Sequence, residues 1–158
     1  MASSKNSVIT TARRVNLAKI TRGAVATIPA ITHIAFGDQG IDEDGQPLMP
    51  TGDQQALHHE VGRYGIDSVA NPPLDGEGMA PDMQVDMAGQ GLAAGRAALG
   101  VETTNRYTVT IPGDDLNGIN ISEMALIDAD GVFAAVKNFL PKGKDQDVTF
   151  TFQFDDEF

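Results

Sequence analysis

The sequence predicts an α+β fold in which an N-terminal helix packs on an antiparallel β-sheet or sandwich that carries an inserted arm. Three observations predict it. Residues 103–158 contain runs in which apolar and polar side chains alternate, a pattern typical of half-buried strands. Residues 7–25 show apolar side chains at helical spacing instead. Residues 71–102 are rich in Gly, Ala and Met, which predicts the inserted arm.

The predicted helix covers Ser7–Val25. Ser7 is its candidate N-cap, because a serine hydroxyl can accept a hydrogen bond from a free backbone N–H group of the first turn. Gly23 stands near the expected end of the helix, and Pro29 favours an extended backbone at Ile28. The basic side chains of this helix are expected on its exposed faces.

Shorter elements are predicted in the rest of the first half. Ile31–Phe36 predicts a strand, and the Gly and Pro content of residues 41–52 predicts a loop. Residues 55–59 predict a short helix, and Arg63–Val69 predicts a further strand. The first half is therefore expected to contain both helices and strands.

The last third of the chain predicts an antiparallel sheet. Its apolar-rich runs are Tyr107–Ile111, Ile119–Ile127, Val132–Phe139 and Val148–Phe154. The Asp-Ala-Asp-Gly segment at 128–131 predicts a hairpin turn, because glycine readily adopts the positive φ that tight turns need. Phe150, Phe152 and Phe154 share one parity and are predicted to face the core.

The chain is predicted to form one domain with an insertion. Residues 1–70 would supply the helix and the first strands, residues 71–102 an inserted loop or docking arm, and residues 103–158 the sheet that completes the same domain. Flexible, unbranched methionines suit an adaptable interface. The arm residues predicted to make apolar contacts with a partner are Met79, Met83, Met87 and Leu92; packing within the loop is the alternative.

Charge is distributed unevenly along the chain. The net charge is −11, yet the first 22 residues hold five basic side chains and no acidic one. An acidic protein repels nucleic acid, and no apolar run approaches the roughly 20 residues of a membrane helix. We therefore predict docking of the basic helix onto a partner or another copy, with a solvated helix face as the alternative. The candidates for polar docking are Arg13, Arg14, Lys19 and Arg22.

No group of residues predicts catalysis. His33 stands alone in a strand, and His58 and His59 would point about 100° apart on a helix, where a helix-end cation role is expected. The acidic segments at 42–45 and 128–131 lack the ligand spacing of a calcium loop. There is no cysteine, no nucleophile elbow and no phosphate-binding loop. The sequence therefore predicts a protein that is not an enzyme and uses neither metal nor cofactor.

Four segments match a known family in order. They are Asn16–Ile20, Ile31–Asp38, Gln55–Val61 and Ile121–Val136. Together they resemble the N-terminal tail-collar domain of fibre proteins from contractile-tailed phages and R-type pyocins. The most specific parts are the Thr-His-x-x-x-Gly-Asp segment that starts at Thr32 and the hairpin around Asp128–Gly131.

The resemblance implies a structural protein of a bacteriophage virion tail, made in the cytoplasm of the bacterial host. In this family the domain attaches a trimeric fibre to the baseplate, so we expect a homotrimer that binds baseplate or other tail proteins. The sequence reaches Phe158 just after the last predicted strand, so we expect neither a shaft nor a receptor-binding tip. We therefore expect a tail fibre or baseplate-proximal attachment component that docks a fibre or adaptor onto the tail.

The alternative is a glycan- or host-surface-binding module that acts directly in host attachment. Such sites commonly stack exposed aromatic rings on sugar faces. The chain has no Trp, and its only tyrosines are Tyr64 and Tyr107. Composition therefore favours the structural role.

Overall fold

A computed structural model gives the structure of residues 6–72 and 103–158. Strands make up 46% of it and a single helix 9%. In chain order the elements are β1 Ser7–Ile9, α1 Thr11–Thr21, β2 Ile31–Gly37, β3 Glu60–Gly65, β4 Ser68–Ala70, β5 Thr104–Ile111, β6 Asn120–Asp128, β7 Phe133–Gly143 and β8 Phe150–Glu157. Of the predicted inserted arm, residues 73–102 lie outside the described part of the chain.

The strands form two antiparallel sheets. The larger has the order β1-β7-β6-β2-β3, and the smaller has the order β4-β5-β8. Strands from the first and second halves of the sequence pair with each other in both sheets, since β2 pairs with β6 and β4 pairs with β5. These pairings are long-range, which explains why the order of strands could not be derived from local sequence patterns.

Most of the core lies between the two sheets. Phe36 of β2 and Phe152 of β8 meet there with ring centroids 4.8 Å apart, and both are buried. A second cluster, which includes Leu57, Ala125 and Phe133, packs on the other face of the larger sheet. Consequently β6 is buried on both faces from Ile121 to Asp128.

The predicted α+β fold class is wrong, because the protein is mostly β. Helix α1 has 11 residues, and Arg13 is the only one of them that is buried. Its apolar side chains Val15 and Ile20 are 45% and 37% exposed, so it presents no apolar face to a sheet. The two sheets bury each other instead, and the core needs no helical layer.

The N-terminal element was predicted too long. Residues Ser7–Ile9 are not helical but pair with β7 as strand β1. The N-cap is Thr10 rather than Ser7: its Oγ1 accepts a hydrogen bond from Arg13 N at 3.2 Å and donates one to Phe133 O at 2.6 Å. Strand pairing satisfies the backbone of β1, which delays the helix start. The helix ends at Thr21, four residues before the predicted Val25, and Gly23 adopts φ +72° just after it.

Two predictions in the first half are also wrong. Residues 55–59 form no helix, because the backbone N–H groups of His58 and His59 bind a side chain of β6. Arg63–Val69 is not one strand: β3 ends at Gly65, and β4 begins at Ser68 in the other sheet. The chain therefore crosses between the sheets within the predicted strand.

The strands predicted in the last third are confirmed, with shifted ends. The hairpin between β6 and β7 is also as predicted: Gly131 has φ +79°, and Asp128 Oδ1 accepts from the backbone N–H groups of Asp130 and Val132 at 2.9 and 3.0 Å. Phe152 and Phe154 are buried and Phe150 half-buried, in agreement with the predicted core face. No helix in the described residues is long and apolar enough to cross a membrane.

Candidate functional site

The four predicted polar docking residues do not share one surface. Arg14 and Arg22 are exposed and Lys19 is half-buried. Arg13 is only 8% exposed, so the expectation that its side chain points to solvent is wrong. A docking role for the four stays a prediction. The predicted apolar contacts Met79, Met83, Met87 and Leu92 lie outside the described residues.

Arg13 takes part in a buried polar cluster instead. Its Nη1 donates to the carbonyl oxygen of Pro29 at 3.3 Å, and its charge acts on Asp156 of β8 and on Tyr107 of β5. Within the described residues, Arg13 Nε and Asp156 Oδ2 are buried without a hydrogen-bond partner. A buried arginine and a buried carboxylate therefore link α1 to the last strand.

Burial controls the ionisation of this cluster. It raises the pKa of Asp156 to about 6, and the nearby Arg13 charge opposes that rise. Burial also raises the pKa of Tyr107, and the Asp156 charge raises it further. Sequence reasoning missed this cluster, because Arg13 and Asp156 are 143 positions apart in a chain with many charged residues.

A second polar cluster surrounds Glu123, which lies in the middle of β6 and is 0% exposed. Its Oε2 accepts from His58 N at 2.9 Å and lies 3.0 Å from His58 Nδ1. Its Oε1 accepts from His59 N at 3.0 Å and from Gln39 N at 3.4 Å. The buried carboxylate therefore holds two separate loops against the sheet.

Two glycines allow this close approach. A Cβ on Gly37 would lie 2.5 Å from His59 O and within 3.0 Å of Glu123 Oε1, and a Cβ on Gly40 would lie 2.5 Å from Ser122 O. Such separations are shorter than real Cβ contacts, so only glycine fits at these positions. We call Gly37, Asp38, His58, His59 and Glu123 the Glu123 cluster.

Two of the three histidines, His58 and His59, belong to this cluster. The predicted helix-end role of His58 and His59 is wrong, because no helix forms there; His59 Nδ1 lies 2.6 Å from Asp38 Oδ1. His33 is exposed and lies 2.9 Å from Thr32 Oγ1. Across the described ranges, no three His, Asp or Glu side chains are arranged to hold a metal ion. The one sequence signal for the cluster was a carboxylate, Glu123, inside an apolar run.

An open groove lies between the two sheets on the side of β7 and β8. It has a volume of about 440 Å³. Its lining comprises Met124 of β6, three residues of β7 (Lys137, Phe139 and Lys142) and the successive residues Thr149–Gln153. A lining that combines phenylalanine rings with two ammonium groups suits an apolar chain with negative charges. The sequence did not predict this groove, because it depends on how the two sheets meet.

Models of known protein families give no match to this chain, and no curated protein sequence matches it significantly.

Proposed function

We propose that this protein is a structural component of a phage or phage-like virion: a tail fibre or baseplate-proximal attachment protein that docks a fibre or adaptor onto a contractile tail. The proposal includes assembly as a homo-oligomer, expected to be a trimer, in contact with baseplate or other tail proteins. The protein would act in the virion tail after synthesis in the bacterial cytoplasm.

One observation carries the proposal. The segments that resemble the tail-collar domain are far apart in sequence, yet three of them meet at the Glu123 cluster. The Gly-Asp pair at 37–38 ends the second segment, His58 and His59 belong to the third, and Glu123 lies near the start of the fourth. Since these residues depend on one another for packing and hydrogen bonding, the resemblance concerns one structural unit and not unrelated short matches.

The fourth segment also contains the hairpin that follows Glu123. Its turn is fixed by Asp128 Oδ1 and by the positive φ of Gly131, which are the residues that carry the match. The hairpin strands β6 and β7 form the centre of the larger sheet. The second, third and fourth segments therefore contribute to the same sheet, which gives an attachment domain the rigid body it requires, whereas Asn16–Ile20 lies on α1.

The experiment is the isolation of intact particles from a bacterium that encodes this chain. We expect the protein to sediment with contractile tails, and an antibody against it to label the baseplate end of the tail in electron micrographs. A strain without the gene should release tails that lack fibres and do not adsorb to cells. Sedimentation away from the particles, with fibres still present in the deletion strain, would refute the proposal.

Light scattering of the purified protein gives a second test. A mass three times that of one 16.7 kDa chain is expected for the trimer.

The alternative function is a glycan- or host-surface-binding module, and the described surface offers it little support. Tyr107 is buried, and Tyr64 packs against the core with its ring centroid 6.0 Å from that of Phe36, so neither ring is well placed to stack on a sugar. Saturable binding on a glycan array would favour that alternative.

A further inference from the structure

From the groove between β7 and β8, we infer a binding site for an extended segment of another tail protein, which adds as a strand to the free edge of β8. The segment would carry apolar side chains at alternate positions and acidic side chains between them. This inference rests on the proposed function for the identity of the partner, but the site itself rests on the geometry of the groove.

The groove follows the edge of β8 rather than a face of the sheet. Side chains of successive residues point to opposite faces of a strand, yet all five residues of Thr149–Gln153 line the groove. β8 is the last strand of the order β4-β5-β8, so among the described residues no strand pairs with its outer edge. Unpaired N–H and C=O groups at such an edge can accept a further strand.

Charge limits strand addition to one half of β8. Its C-terminal half contains Asp155, Asp156 and Glu157, and charged residues on an edge strand oppose further pairing. The residues 149–153 that line the groove carry no charge. The uncharged half of the edge is therefore the half that opens into the groove.

Strand β7 forms the opposite side of the groove, and the part of β7 that lines the groove after Lys137 is not covered by β1. The pairing of β1 with β7 ends where Ser7 is the register partner of Lys137. One further backbone hydrogen bond follows, from Asn138 N to Asn6 O. Beyond this point β7 bulges, because Glu123 pairs with Asn138 whereas Ile121 pairs with Lys142. The bulge holds Phe139 at the groove and leaves Leu140 57% exposed. Together with the half-buried Phe150, these side chains provide apolar contacts for a partner.

The charge of the groove specifies the partner. Lys137 and Lys142 both line it, and neither forms an ion pair with the described residues. The chain as a whole has a net charge of −11, so a second copy would on average be repelled. The acidic side chains of a segment from a different protein, by contrast, would be attracted to Lys137 and Lys142. We therefore assign the groove to such a partner.

The test uses the full-length chain and a fluorescent peptide that alternates valine and aspartate. We expect saturable binding by fluorescence anisotropy, weakened at high salt because the lysines are near the surface. The double variant Lys137→Glu, Lys142→Glu should bind the peptide at least about tenfold more weakly, since like charges then face each other. The control Arg63→Glu makes one such charge reversal on β3, outside the groove, and should leave binding unchanged.

Two further measurements locate the binding. In NMR spectra the peptide should shift the backbone amide signals of residues 149–153 and leave those of β3 unchanged. A peptide that alternates valine and lysine should not bind. Equal binding of both peptides, or shifts elsewhere in the protein, would overturn the inference. So would self-association of the protein that is lost in the double variant, because a second copy would then occupy the groove.

The two proposals can fail separately. The peptide experiment needs only the purified protein, so absence of binding would remove the groove site while leaving the virion role intact. If the protein does not sediment with tails but the peptide binds at β8, the strand-addition site stands and its natural partner is not a tail protein.

Discussion

Gly37 of β2 and Glu123 of β6 are register partners, and the Glu123 side chain occupies the space that a Cβ on Gly37 would need. The same carboxylate accepts backbone hydrogen bonds from His58 and His59. A missing side chain on one strand thus makes room for a buried charge on its neighbour. This pair joins two of the segments on which the predicted resemblance rests, Ile31–Asp38 and Ile121–Val136.

The first prediction concerns the substitution Gly37→Ala. The added Cβ meets the His59 carbonyl oxygen at 2.5 Å, and backbone cannot move aside as easily as a flexible side chain. We expect the free energy of unfolding to fall by about 1–3 kcal/mol, as in other overpacked sites. Urea denaturation followed by circular dichroism measures the loss.

Gly65 of β3 supplies the control for that substitution. A Cβ on Gly65 meets no atom within 4 Å, and its φ is not in the left-handed region. Gly65→Ala should therefore leave the stability nearly unchanged. Equal effects of the two substitutions would show that the close approach of Gly37 and Glu123 does not constrain the fold.

The second prediction concerns the carboxylate itself. Glu123→Ala leaves the N–H groups of His58 and His59 without their acceptor, and each buried unpaired donor costs about 1–3 kcal/mol. We expect a loss of roughly 2–4 kcal/mol in the free energy of unfolding and a selective loss of hydrogen-exchange protection at these two amides.

Glu60 gives the matched comparison for Glu123. It is an exposed glutamate one residue after His59, and it forms a surface ion pair with Arg63 at 2.9 Å. Such pairs contribute about 0–1 kcal/mol, so Glu60→Ala should have little effect. If the amides of His58 and His59 stay protected in Glu123→Ala, the carboxylate is not what holds this loop.

Local patterns in the sequence predicted the parts of the fold that depend on local chemistry. The turn at Asp128–Gly131 was predictable because one carboxylate and one positive φ fix it. The alternation of β8 was visible because one of its faces is buried and the other is not. In β6, both faces are buried, so residues of both parities belong to the core and alternation carries less information.

Where the sequence-based predictions were wrong, the local structure is determined by contacts with residues that are distant in sequence. Ser7–Ile9 is a strand because β7, more than 120 residues later, pairs with it. His58 and His59 are not helical because Glu123 takes their N–H groups. Arg13 is buried because Pro29 O and Asp156 lie where its side chain reaches. In each case the partner is distant in sequence, so local propensity could not predict the outcome.

The third prediction concerns pH. Burial raises the pKa of Asp156 from 3.8 to about 6, so between these values the folded protein holds a proton that the unfolded chain releases. The stabilisation from this group is therefore complete below about pH 4 and is lost as pH rises through about 6. The size of the shift corresponds to roughly 3 kcal/mol.

Denaturation curves at a series of pH values test this. The difference in unfolding free energy between the native chain and Asp156→Asn should change between about pH 4 and pH 6, because asparagine does not titrate. The exposed Asp145 provides the control, and Asp145→Asn should show no comparable change in this range. A constant difference for Asp156→Asn across the range would mean that this carboxyl is not perturbed by burial.

The fourth prediction concerns the partner of Asp156. The Arg13 charge lowers the pKa of that buried carboxyl, so Arg13→Met, which keeps an apolar stem and removes the charge, should move the pH transition to higher values. Arg14→Met removes the same charge from an exposed neighbour and should leave the transition in place. The transition is read from the pH series of unfolding free energies. A transition that does not move in Arg13→Met would show that α1 and β8 are not coupled through this pair.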